Sequence, residues 1–583
     1  MNEMKLGAIR HTLAHLLAQA VKERDPKVKF ATGPATETGF YYDFKLSKEL
    51  GEANLEKLEK GMRLLLKENL EPKVETLSEE DARELFKDQP YKLEIIDEIV
   101  GNKEKISIYT IGEFTDLCEG PHVENTKEID PDAFKLTRIA GAYWKGDENN
   151  TMLTRIYGLA FSNKKELEEY EKQQEEARAR DHRKLGKELD LFTFSDLVGP
   201  GLPLFTPRGT LMRDLIVDKI TSIQSKYGYE KVTIPHLAKR ELYQTSGHWE
   251  KFGDELFKVY GKGDTEFIMK PMNCPHHTQI YASKPRSYKD LPIRYTETTM
   301  VYRDEQQGEL IGLGRVRSIT QDDGHVFCTP EQVKQEVKNI VKIVEAFYAS
   351  LGMYKKGLFW VSLSVRDPDD SEGYLGKPEQ WENAENALKE IAEELELPYT
   401  RVEGEAAFYG PKLDFMFFDA LGRERQLATA QLDFMMPERF GLSYIDENGE
   451  EKTPVMIHRA IAGSLERFMA IMIEHFAGAF PLWLSPIQIK VLPVSEHFTT
   501  YAEGIVKELK EADFRVEIDE SNETLGKKIR NVKTEKVPYF LVLGEREESA
   551  QQVTLESRDK GKIGSISINA LIERLQREMK EKK

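Results

Sequence analysis

The stretch 293–328, IRYTETTMVYRDEQQGELIGLGRVRSITQDDGHVFC, decides the fold of the largest part of this chain. It predicts two strands joined by a Gly-rich loop, because β-prone residues flank the glycines on both sides. Side chains alternate between the faces of a strand, so polar residues with odd numbers share one face if no bulge intervenes. These residues are Arg303, Glu305, Arg315, Arg317, Gln321, Asp323 and His325. A bound polyphosphate with a second polar substrate would explain such a face, and an ordinary solvated hairpin is the alternative.

Length and composition exclude several classes of protein. A chain of 583 residues with 40% hydrophobic content has room for about three or four globular domains. No apolar run is long enough to span a membrane, and the N-terminus lacks the apolar region of a secretion signal. Three cysteines are too few and too widely spaced for a disulfide scaffold, so reduced thiols or metal ligands in a cytoplasmic protein are expected.

Charge is distributed unevenly along the chain. The residues after 485 contain 18 Lys and Arg against 18 Asp and Glu, so the preceding residues carry the whole net charge of −18. This net charge argues against indiscriminate DNA binding but permits a defined RNA partner. The relatively basic C-terminal end is the place where a nucleic-acid contact is expected.

Composition and periodicity divide the chain into four parts. Residues 1–162 begin with a helix and continue with mixed α/β patterns that include the β-prone FYYDF at 40–44. Residues 163–183 are charged and rich in helix formers, which predicts an exposed connecting helix and a simple solvated linker. Residues 184–485 contain runs of strands with helices outside them, which favours an antiparallel sheet in an α+β domain. Residues 486–583 alternate strand and helix, which predicts a small α/β domain with some parallel strands.

Finer expectations in the third part concern particular elements. A helix is expected over 209–227, and the strand YEKVTIP is expected to end at Pro235. Further strands are predicted at 291–304, 315–328, 357–365, 412–419 and 426–435. A helix is expected in the segment IHRAIAGSLERFMAIMIEHFAG, after His458.

Cys274, His325 and His458 each lie in a dense polar setting. One thiolate and two imidazoles form a zinc site with the fourth position open for substrate or water. Spacing alone does not establish this set, because each residue by itself is more often structural. His276 and His277 compete for the same role.

A second cluster of potential ligands combines His11-x3-His15 with Cys118-x3-His122. Positions i and i+4 share a helix face, so both N-terminal histidines can point into one cleft. Gly120 and its neighbouring proline place the second pair on a turn. Such a cluster could bind zinc, or it could hold a water and an RNA hydroxyl for hydrolysis.

Two basic features complete the set of candidates. Gly463 permits close backbone approach, Ser464 offers a small donor, and Arg467 lies one helical turn away, where it could clamp a nucleotide. An amphipathic helix with a surface salt bridge is the alternative. A basic stripe consists of Lys527, Arg530 and Lys533. This stripe is a candidate RNA footprint or a solvated helix face.

Together these motifs resemble the threonyl-tRNA synthetases of bacterial type, which are class II aminoacyl-tRNA synthetases. YEKVTIP at 229–235, YRDE at 302–305 and GSLERF at 463–468 are similar to the three class II signatures, in the family's order. The resemblance covers essentially the whole chain. It implies an α+β multidomain fold with an N-terminal editing domain (1–162), a linker helix (163–183), an antiparallel-sheet catalytic domain (184–485) and an α/β anticodon-binding domain (486–583).

The resemblance also implies an ATP site with Mg²⁺ accompanying the nucleotide. Arg303 and Arg315 would hold the phosphates, Glu305 the adenine, and Arg467 the nucleotide from the opposite side. Further residues that match ATP-pocket positions are Gln426, Gln431 and Ser464. Arg303 and Arg467 would provide the main electrostatic stabilisation during catalysis.

For the amino acid, the resemblance implies one zinc ion per subunit at Cys274, His325 and His458. Gln321 and Asp323 would lie near the amino group of threonine and complete the catalytic set, and the matched pocket residues are Tyr409 and Lys412. An open zinc that binds both the amino and the hydroxyl group rejects valine. Serine differs only by a methyl group, worth roughly 1–3 kcal/mol, so a second, hydrolytic site is expected.

The matching editing residues are His11, His15, Cys118, His122, Asp116 and Tyr42. By this match the N-terminal cluster would position water to hydrolyse seryl-tRNA rather than bind a metal. The expected partners are tRNA(Thr), L-threonine, ATP and a second copy of the chain in a homodimer. A tRNA-binding paralogue without charging activity and a seryl-tRNA hydrolase are the alternatives.

Two departures from the family pattern are visible. The chain starts almost directly at the editing helix, whereas many members have a small ubiquitin-like domain before it. In the C-terminal part, Glu547 and Arg558 are candidates for reading the anticodon. Glu556 stands where an arginine is expected, so the register of this match is loose.

Overall fold

The computed structural model describes residues 3–263, 265–370 and 373–581. The chain divides into two units, Met1–Glu175 and Glu176–Lys583. The division falls within the charged helix that the sequence predicts as a connector. The finer domain boundaries at 162, 183 and 485 stay predictions.

The first unit begins with the expected N-terminal helix. Its helices are α1 Glu3–Arg24, α2 Leu55–Lys67, α3 Glu79–Leu85, α4 Pro90–Gly101 and the first part of α5 Lys164–Arg180. Its strands are β1 Lys29–Phe30, β2 Gly39–Lys45, β3 Lys73–Leu77, β4 Ile106–Ile111, β5 Phe114–Leu117, β6 Phe134–Tyr143 and β7 Met152–Ala160. The apolar face of α1 and the aromatic residues of β2 share one hydrophobic core, which explains the helical periodicity and the β-prone FYYDF. The strands form a sheet in the order β1-β2-β7-β6 and a smaller one in the order β3-β4-β5.

The second unit is larger and contains two main sheets. Its helices after α5 are α6 His182–Glu188, α7 Pro207–Gln224, α8 Arg240–Ser246, α9 His248–Phe252, α10 Cys274–Ala282, α11 Val333–Ala349, α12 Pro378–Glu394, α13 Met435–Arg439, α14 Leu465–His475, α15 Thr499–Glu511, α16 Leu525–Thr534, α17 Glu545–Ala550 and α18 Ile568–Glu581. Its strands up to residue 460 are β8 Phe192–Thr193, β9 Leu204–Phe205, β10 Glu230–Lys231, β11 Leu237–Lys239, β12 Lys258–Tyr260, β13 Glu266–Met269, β14 Ile293–Tyr302, β15 Ser318–Cys328, β16 Phe359–Val365, β17 Tyr399–Glu403, β18 Lys412–Phe418, β19 Glu424–Asp433, β20 Tyr444–Ile445, β21 Glu451–Lys452 and β22 Val455–Ala460. The remaining strands are β23 Ile489–Pro493, β24 Val516–Ile518, β25 Tyr539–Leu543, β26 Val553–Ser557 and β27 Gly561–Ile566.

The predicted hairpin forms the second and third strands of an eight-stranded sheet in the order β10-β14-β15-β22-β19-β18-β16-β17. All neighbours in this sheet are antiparallel except the pairs β10–β14 and β16–β17 at its two edges. Helices α7, α11, α12 and α14 pack into its main core. The α+β interpretation of this part is confirmed.

Two local expectations for this sheet are wrong. The first strand of the hairpin ends at Tyr302 and the second begins at Ser318. The connecting loop therefore contains Arg303, Glu305, Arg315 and Arg317. The helix expected after His458 does not begin there, because the residues up to Ala460 belong to β22, which pairs with β15 on one side and β19 on the other. Tertiary pairing overrides the helical pattern there, and α14 begins only at Leu465.

A row of directly paired residues crosses five strands of this sheet. The row runs Lys412, Gln431, His458, His325 and Tyr295, each residue opposite the next one. Residues directly opposite each other in a sheet project from the same face. Two of the three predicted zinc ligands are therefore brought together by strand register alone.

The C-terminal sheet has the order β24-β23-β25-β26-β27. Its first three strands are parallel and the last two antiparallel, as the strand–helix alternation predicts. No helix in the described part of the chain is both long and apolar enough to cross a membrane.

Candidate functional site

A cavity of about 520 Å³ opens beside the hairpin on the eight-stranded sheet. Seven of the predicted site residues line it: Arg303, Glu305, Arg315, Gln321, Gln426, Ser464 and Arg467. They come from the loop 303–317, from β15 and β19, and from the start of α14. The hairpin with its loop contributes four of these groups to one space, although six of the seven lie outside its two strands.

Two arginines in this cavity have no carboxylate partner. Neither Arg303 nor Arg467 forms an ion pair in the described part of the chain, and the Nε atom of Arg303 is buried without a hydrogen-bond partner. Burial lowers the pKa of both guanidiniums, and the nearby Arg425 adds to the shift of Arg467. Arg303 is half-buried and Arg467 is exposed to the cavity, so two guanidiniums without ion pairs favour a polyanionic ligand there.

A third arginine of the cavity, Arg315, is paired with the carboxylate of Glu305. Arg315 donates from Nε to a carboxylate oxygen of Glu305 at 2.7 Å, and its Nη2 lies 2.6 Å from the same oxygen. Glu305 is buried at 7% exposure. The pair fixes the loop 303–317 across the mouth of the cavity.

Two residues from the expected nucleotide face lie elsewhere. Arg317 does not line the cavity; its guanidinium donates to the carbonyl of Glu305 at 3.0 Å and pairs with Asp304 at 3.2 Å. Gln431 lies in the cross-strand row, where its amide oxygen accepts from Tyr409 at 3.3 Å. The shared odd-numbered face fails for Arg317 because the strand begins only at residue 318.

Cys274, His325 and His458 are brought together although they are far apart in sequence. Their potential ligand atoms all lie within 4.8 Å of one another, and all three residues are buried. The Nε2 atom of His325 lies 3.1 Å from Nδ1 of His458. One sulfur and two imidazole nitrogens fit the ligand preferences of zinc. His276, one of the competing histidines, is not part of this group.

Three residues surround this group: His277, which the sequence offered as a competing ligand, and Asp433 and His248, which sequence reasoning missed. Asp433 accepts from Nε2 of His458 at 2.8 Å, which leaves Nδ1 of His458 as a lone-pair donor towards the group. Nδ1 of His277 lies 2.8 Å from Nδ1 of His325. Nε2 of His248 lies 3.8 Å from Cys274 Sγ, and this histidine is almost fully buried. A lone histidine or aspartate in a sequence gives no signal of such contacts.

Asp323 and Gln321 lie between the cavity and the Cys/His group on β15. Asn273 donates to Asp323 at 3.0 Å, and burial raises the pKa of this carboxyl. Gln321 forms an isolated bridge with Ser464, the residue that caps α14. One strand thus carries groups that face both ligand spaces.

The predicted pocket residues Tyr409 and Lys412 lie towards the β18 end of the row of paired residues. The ring centroid of Tyr409 lies 5.1 Å from that of His458, and its side chain is buried. Lys412 pairs with Asp414 at 2.6 Å. Tyr409 therefore lies beside the group, whereas Lys412 is two strands away from His458 and its role in the pocket stays a prediction.

The first unit holds a separate cavity of about 880 Å³. Its lining includes His11, His15, Cys118 and Asp116, and the ligand atoms of the four predicted His and Cys residues lie within 4.8 Å of one another. Sγ of Cys118 lies 3.3 Å from Nε2 of His11 and 3.1 Å from Nε2 of His122. The sequence interpretation of a HxxxH pair facing a CxxxH pair is confirmed as a spatial cluster.

Burial sets the protonation of this cluster. It raises the pKa of the Cys118 thiol to about 12 and lowers the pKa of His122 to about 2. The pKa of His15 also lies well below its ordinary value, through burial first and then through His11. The thiol is therefore neutral at pH 7 and a poor nucleophile, and the imidazoles are neutral, weak bases that can orient water by hydrogen bonds.

The predicted Tyr42 and two residues that the sequence did not single out, Lys92 and Thr12, hydrogen-bond to members of this site. The hydroxyl of Tyr42 donates to Asp116 at 2.6 Å, and the buried Lys92 forms an ion pair with the same carboxylate. The hydroxyl of Thr12 donates to the carbonyl of Ala8 at 2.8 Å, so it can only accept from Nδ1 of His122 at 3.1 Å. This contact assigns the proton of His122 to Nδ1 and leaves Nε2 as an acceptor.

The anticodon candidates have local roles in the structure. Glu547 accepts from the backbone of Gly544 at 3.0 Å and from Thr554 at 2.7 Å. Arg558 donates to two backbone carbonyls, each at 3.0 Å. The basic stripe Lys527, Arg530 and Lys533 is exposed on α16. The neighbouring Lys528 is buried and does not belong to it.

Comparison with known families agrees with this architecture. Residues 257–476 match the family model of the tRNA synthetase class II core domain (G, H, P, S and T), and residues 488–578 match the anticodon binding domain. Residues 106–157 match the second additional domain of threonyl and alanyl tRNA synthetases. The class II core is an antiparallel sheet with a nucleotide-sized cavity and unpaired arginines, and the anticodon binding domain follows it along the chain. Together they define a class II aminoacyl-tRNA synthetase.

Relatives that match almost the whole chain show which family within this class it belongs to. The chain is 49% identical over 581 residues to the threonine–tRNA ligase of Gloeobacter violaceus, covering 98% of this chain and 92% of that protein. It is 48% identical over 591 residues to the threonine–tRNA ligase of Thermus thermophilus, covering 98% of this chain and 89% of that protein. Among solved structures it is similar to the RNA binding domain of threonyl-tRNA synthetase from Cryptosporidium parvum Iowa II, with a TM-score of 0.64 and 38% identity over 68% of this chain and 98% of that chain. The chain belongs to the threonyl-tRNA synthetase family.

Proposed function

We propose that this chain ligates L-threonine to tRNA(Thr) at the expense of ATP and hydrolyses seryl-tRNA(Thr) formed in error. The observation that carries the proposal is the placement of two ligand spaces along β15. Gln321 faces a cavity with unpaired arginines, and four residues further along the strand His325 belongs to the Cys/His group. ATP and the amino acid would therefore meet on one strand.

In the first step a carboxylate oxygen of threonine attacks the α-phosphorus of ATP, and the bond to the leaving pyrophosphate breaks. Arg303 and Arg467 would stabilise the charge that builds up on the phosphates, since neither has a protein counterion. Gln426 and Ser464 would contact the nucleotide, and the ion pair of Glu305 with its arginine would hold the loop over the base. Mg²⁺ accompanies ATP as a substrate in class II synthetases.

The amino acid would bind between Asp323, Gln321 and Tyr409. Cys274, His325 and His458 would hold one zinc ion per chain, and their sulfur and nitrogen donors fit this metal. Bound zinc would supply two-point recognition of the amino and hydroxyl groups of threonine. In the second step the terminal adenosine hydroxyl of the tRNA attacks the carbonyl carbon and AMP leaves.

The editing reaction would take place at the cluster in the first unit. His11, His15 and His122 are neutral because burial lowers their pKa values, so they can orient water by hydrogen bonds, and Asp116 is held between Tyr42 and a buried lysine. We infer that these groups position water against the seryl ester. A homodimer, cytoplasmic location and an anticodon contact at the α16 stripe belong to the same proposal.

Threonine-dependent exchange of pyrophosphate into ATP tests the charging half of the proposal. Exchange is expected with threonine and to be lost in an Arg467→Ala variant that still binds zinc. A wild-type protein that is folded and zinc-loaded but shows no exchange would overturn the proposal.

Hydrolysis of seryl-tRNA(Thr) tests the editing half. His11→Ala is expected to lose hydrolysis and keep threonine-dependent exchange, because the two sites lie in separate units of the chain. Equal loss of both activities in this variant would contradict separate sites.

A further inference from the structure

The connecting segment 180–183 is bound into the second unit rather than solvated. Arg180 donates from Nη1 to the carbonyl of His475 at 2.9 Å and to that of Glu474 at 3.3 Å. These are carbonyls at the C-terminal end of α14, which no intrahelical N–H satisfies. His182 is 5% exposed, whereas the sequence predicted a simple solvated linker here.

His182 joins two elements that carry nucleotide-site arginines. The backbone N–H of Leu313 donates to its Nε2 at 3.1 Å, so Nε2 is an acceptor and Nδ1 must carry the proton. Nδ1 then donates to Glu474 at 2.7 Å. Leu313 lies two residues before Arg315, and Glu474 lies two helical turns after Arg467 on the same face of α14.

The close fit at this point supports a specific role. Gly312 has a φ of +50°, and a Cβ there would lie 2.4 Å from Nε2 of His182. Glu474 also accepts from Arg423 at 2.5 Å, so its carboxylate is held from two sides. The imidazole therefore fills the space between the loop 303–317 and α14 and bonds to both.

We infer that His182 is a positioning residue for ATP: it sets the separation between the loop that carries Arg315 and the helix that carries Arg467. It does not touch the nucleotide cavity itself. This inference rests on the proposed function, since it assigns the ligand of that cavity as ATP. The threonine-binding residues on β15 and β22 do not contact the segment, so their action should be independent of it.

The test compares three variants of the full-length protein. His182→Ala removes both bonds and is expected to raise the KM for ATP in the exchange reaction about tenfold, with the KM for threonine changed less than about twofold. His182→Gln keeps an acceptor near the Nε2 position, and His182→Asn keeps a donor near the Nδ1 position. Each is expected to recover part of the loss, and Lys184→Ala, exposed on the same helix, is the matched control.

Binding of ATP by calorimetry, without threonine or tRNA, gives a second readout. The dissociation constant is expected to follow the same order, with the alanine variant weakest, and seryl-tRNA hydrolysis is expected to stay at the wild-type rate. Parallel rises in the KM values for ATP and threonine, or unchanged ATP binding in all three variants, would overturn the inference. Failure of the charging proposal shows separately, as absent exchange in the wild type with ATP binding intact. If the alanine variant does not fold, the glutamine and asparagine variants decide.

Discussion

At the scale of single residues, hydrogen-bond partners determine what each imidazole of the two clusters can do. Asp433 fixes the tautomer of His458, and Thr12 fixes that of His122. Both partners are unremarkable in the sequence, because an aspartate before a helix and a threonine within one have common structural roles. The residue types with obvious chemistry were predicted, and the residues that orient them were not.

Replacing Asp433 with Asn should weaken zinc binding. The amide would present an N–H group or a weaker acceptor to Nε2 of His458, so the imidazole would lose its orientation and basicity. The expected decrease in zinc affinity is about 10–100-fold, measured by competition with a chromophoric chelator. Glu447→Gln, at an exposed position, is the control. Unchanged zinc retention in the Asp433 variant would contradict this account.

Replacing Thr12 with Val should slow seryl-tRNA hydrolysis about tenfold or more while leaving threonine charging intact. Valine has nearly the same shape but offers no acceptor to Nδ1 of His122. Thr12→Ser retains the hydroxyl and is expected to restore most of the rate. A serine variant as slow as the valine variant would indicate a packing effect instead.

At the scale of elements, the alternating side chains of strand β15 place ligand-facing residues on one face of the sheet and a structural ion pair on the other. Odd-numbered residues face the ligand spaces, while Asp322 and Gly324 face the buried Arg459 of β22. Arg459 also donates to Thr296 at 2.6 Å. Strands β15 and β22, which carry His325 and His458, are thus joined on their other face by a buried ion pair, and the bond to Thr296 connects β14 to them.

Replacing Arg459 with Met should destabilise the second unit by about 3–5 kcal/mol, because the buried carboxylate of Asp322 would lose its counterion and keep only two backbone N–H donors. The free energy of unfolding is measured by urea denaturation followed by tryptophan fluorescence. Adding Asp322→Asn to this variant removes the unpaired charge and should restore part of the stability. No recovery in the double variant would show that the cost lies in lost packing.

The element boundaries also show where local patterns fail. Residues 457–460 begin the segment expected to be helical, yet they belong to strand β22 because hydrogen bonds to β15 and β19 on both sides outweigh intrinsic propensity. The helix α1 was predicted well, since its apolar stripe and its core contacts agree. The hairpin ends were predicted too long because polar loop residues continue the alternation past Tyr302.

At the scale of the whole molecule, the two sites lie in two units and should respond separately to changes in conditions. The first unit contains His11, His15 and His122, whose pKa values are lowered by burial. The second contains the charging site. Acid should therefore weaken the editing unit through its own histidines.

The stability of the first unit should fall as pH drops from 7 to 5. A histidine with a folded-state pKa below its unfolded value near 6.5 takes up a proton only on unfolding, which costs stability below pH 6.5. The loss is about 1.4 kcal/mol per pH unit for each strongly shifted imidazole. Hydrogen exchange of α1 peptides, corrected for the intrinsic pH dependence, measures it, and His122→Asn should show a smaller slope. A slope that is the same in this variant would exclude His122 as a source.

The sequence by itself determined the chemistry and the fold class of this protein. Motif order, residue types and periodicity indicated a class II core, a Cys/His group, an editing cluster and an α/β C-terminal part. Only the tertiary structure decided which residues hold these groups in place: Lys92, Asp433, His248 and the buried His182. The physical reason is that local patterns encode burial and backbone preference, whereas these contacts depend on register and packing between segments that are distant along the chain.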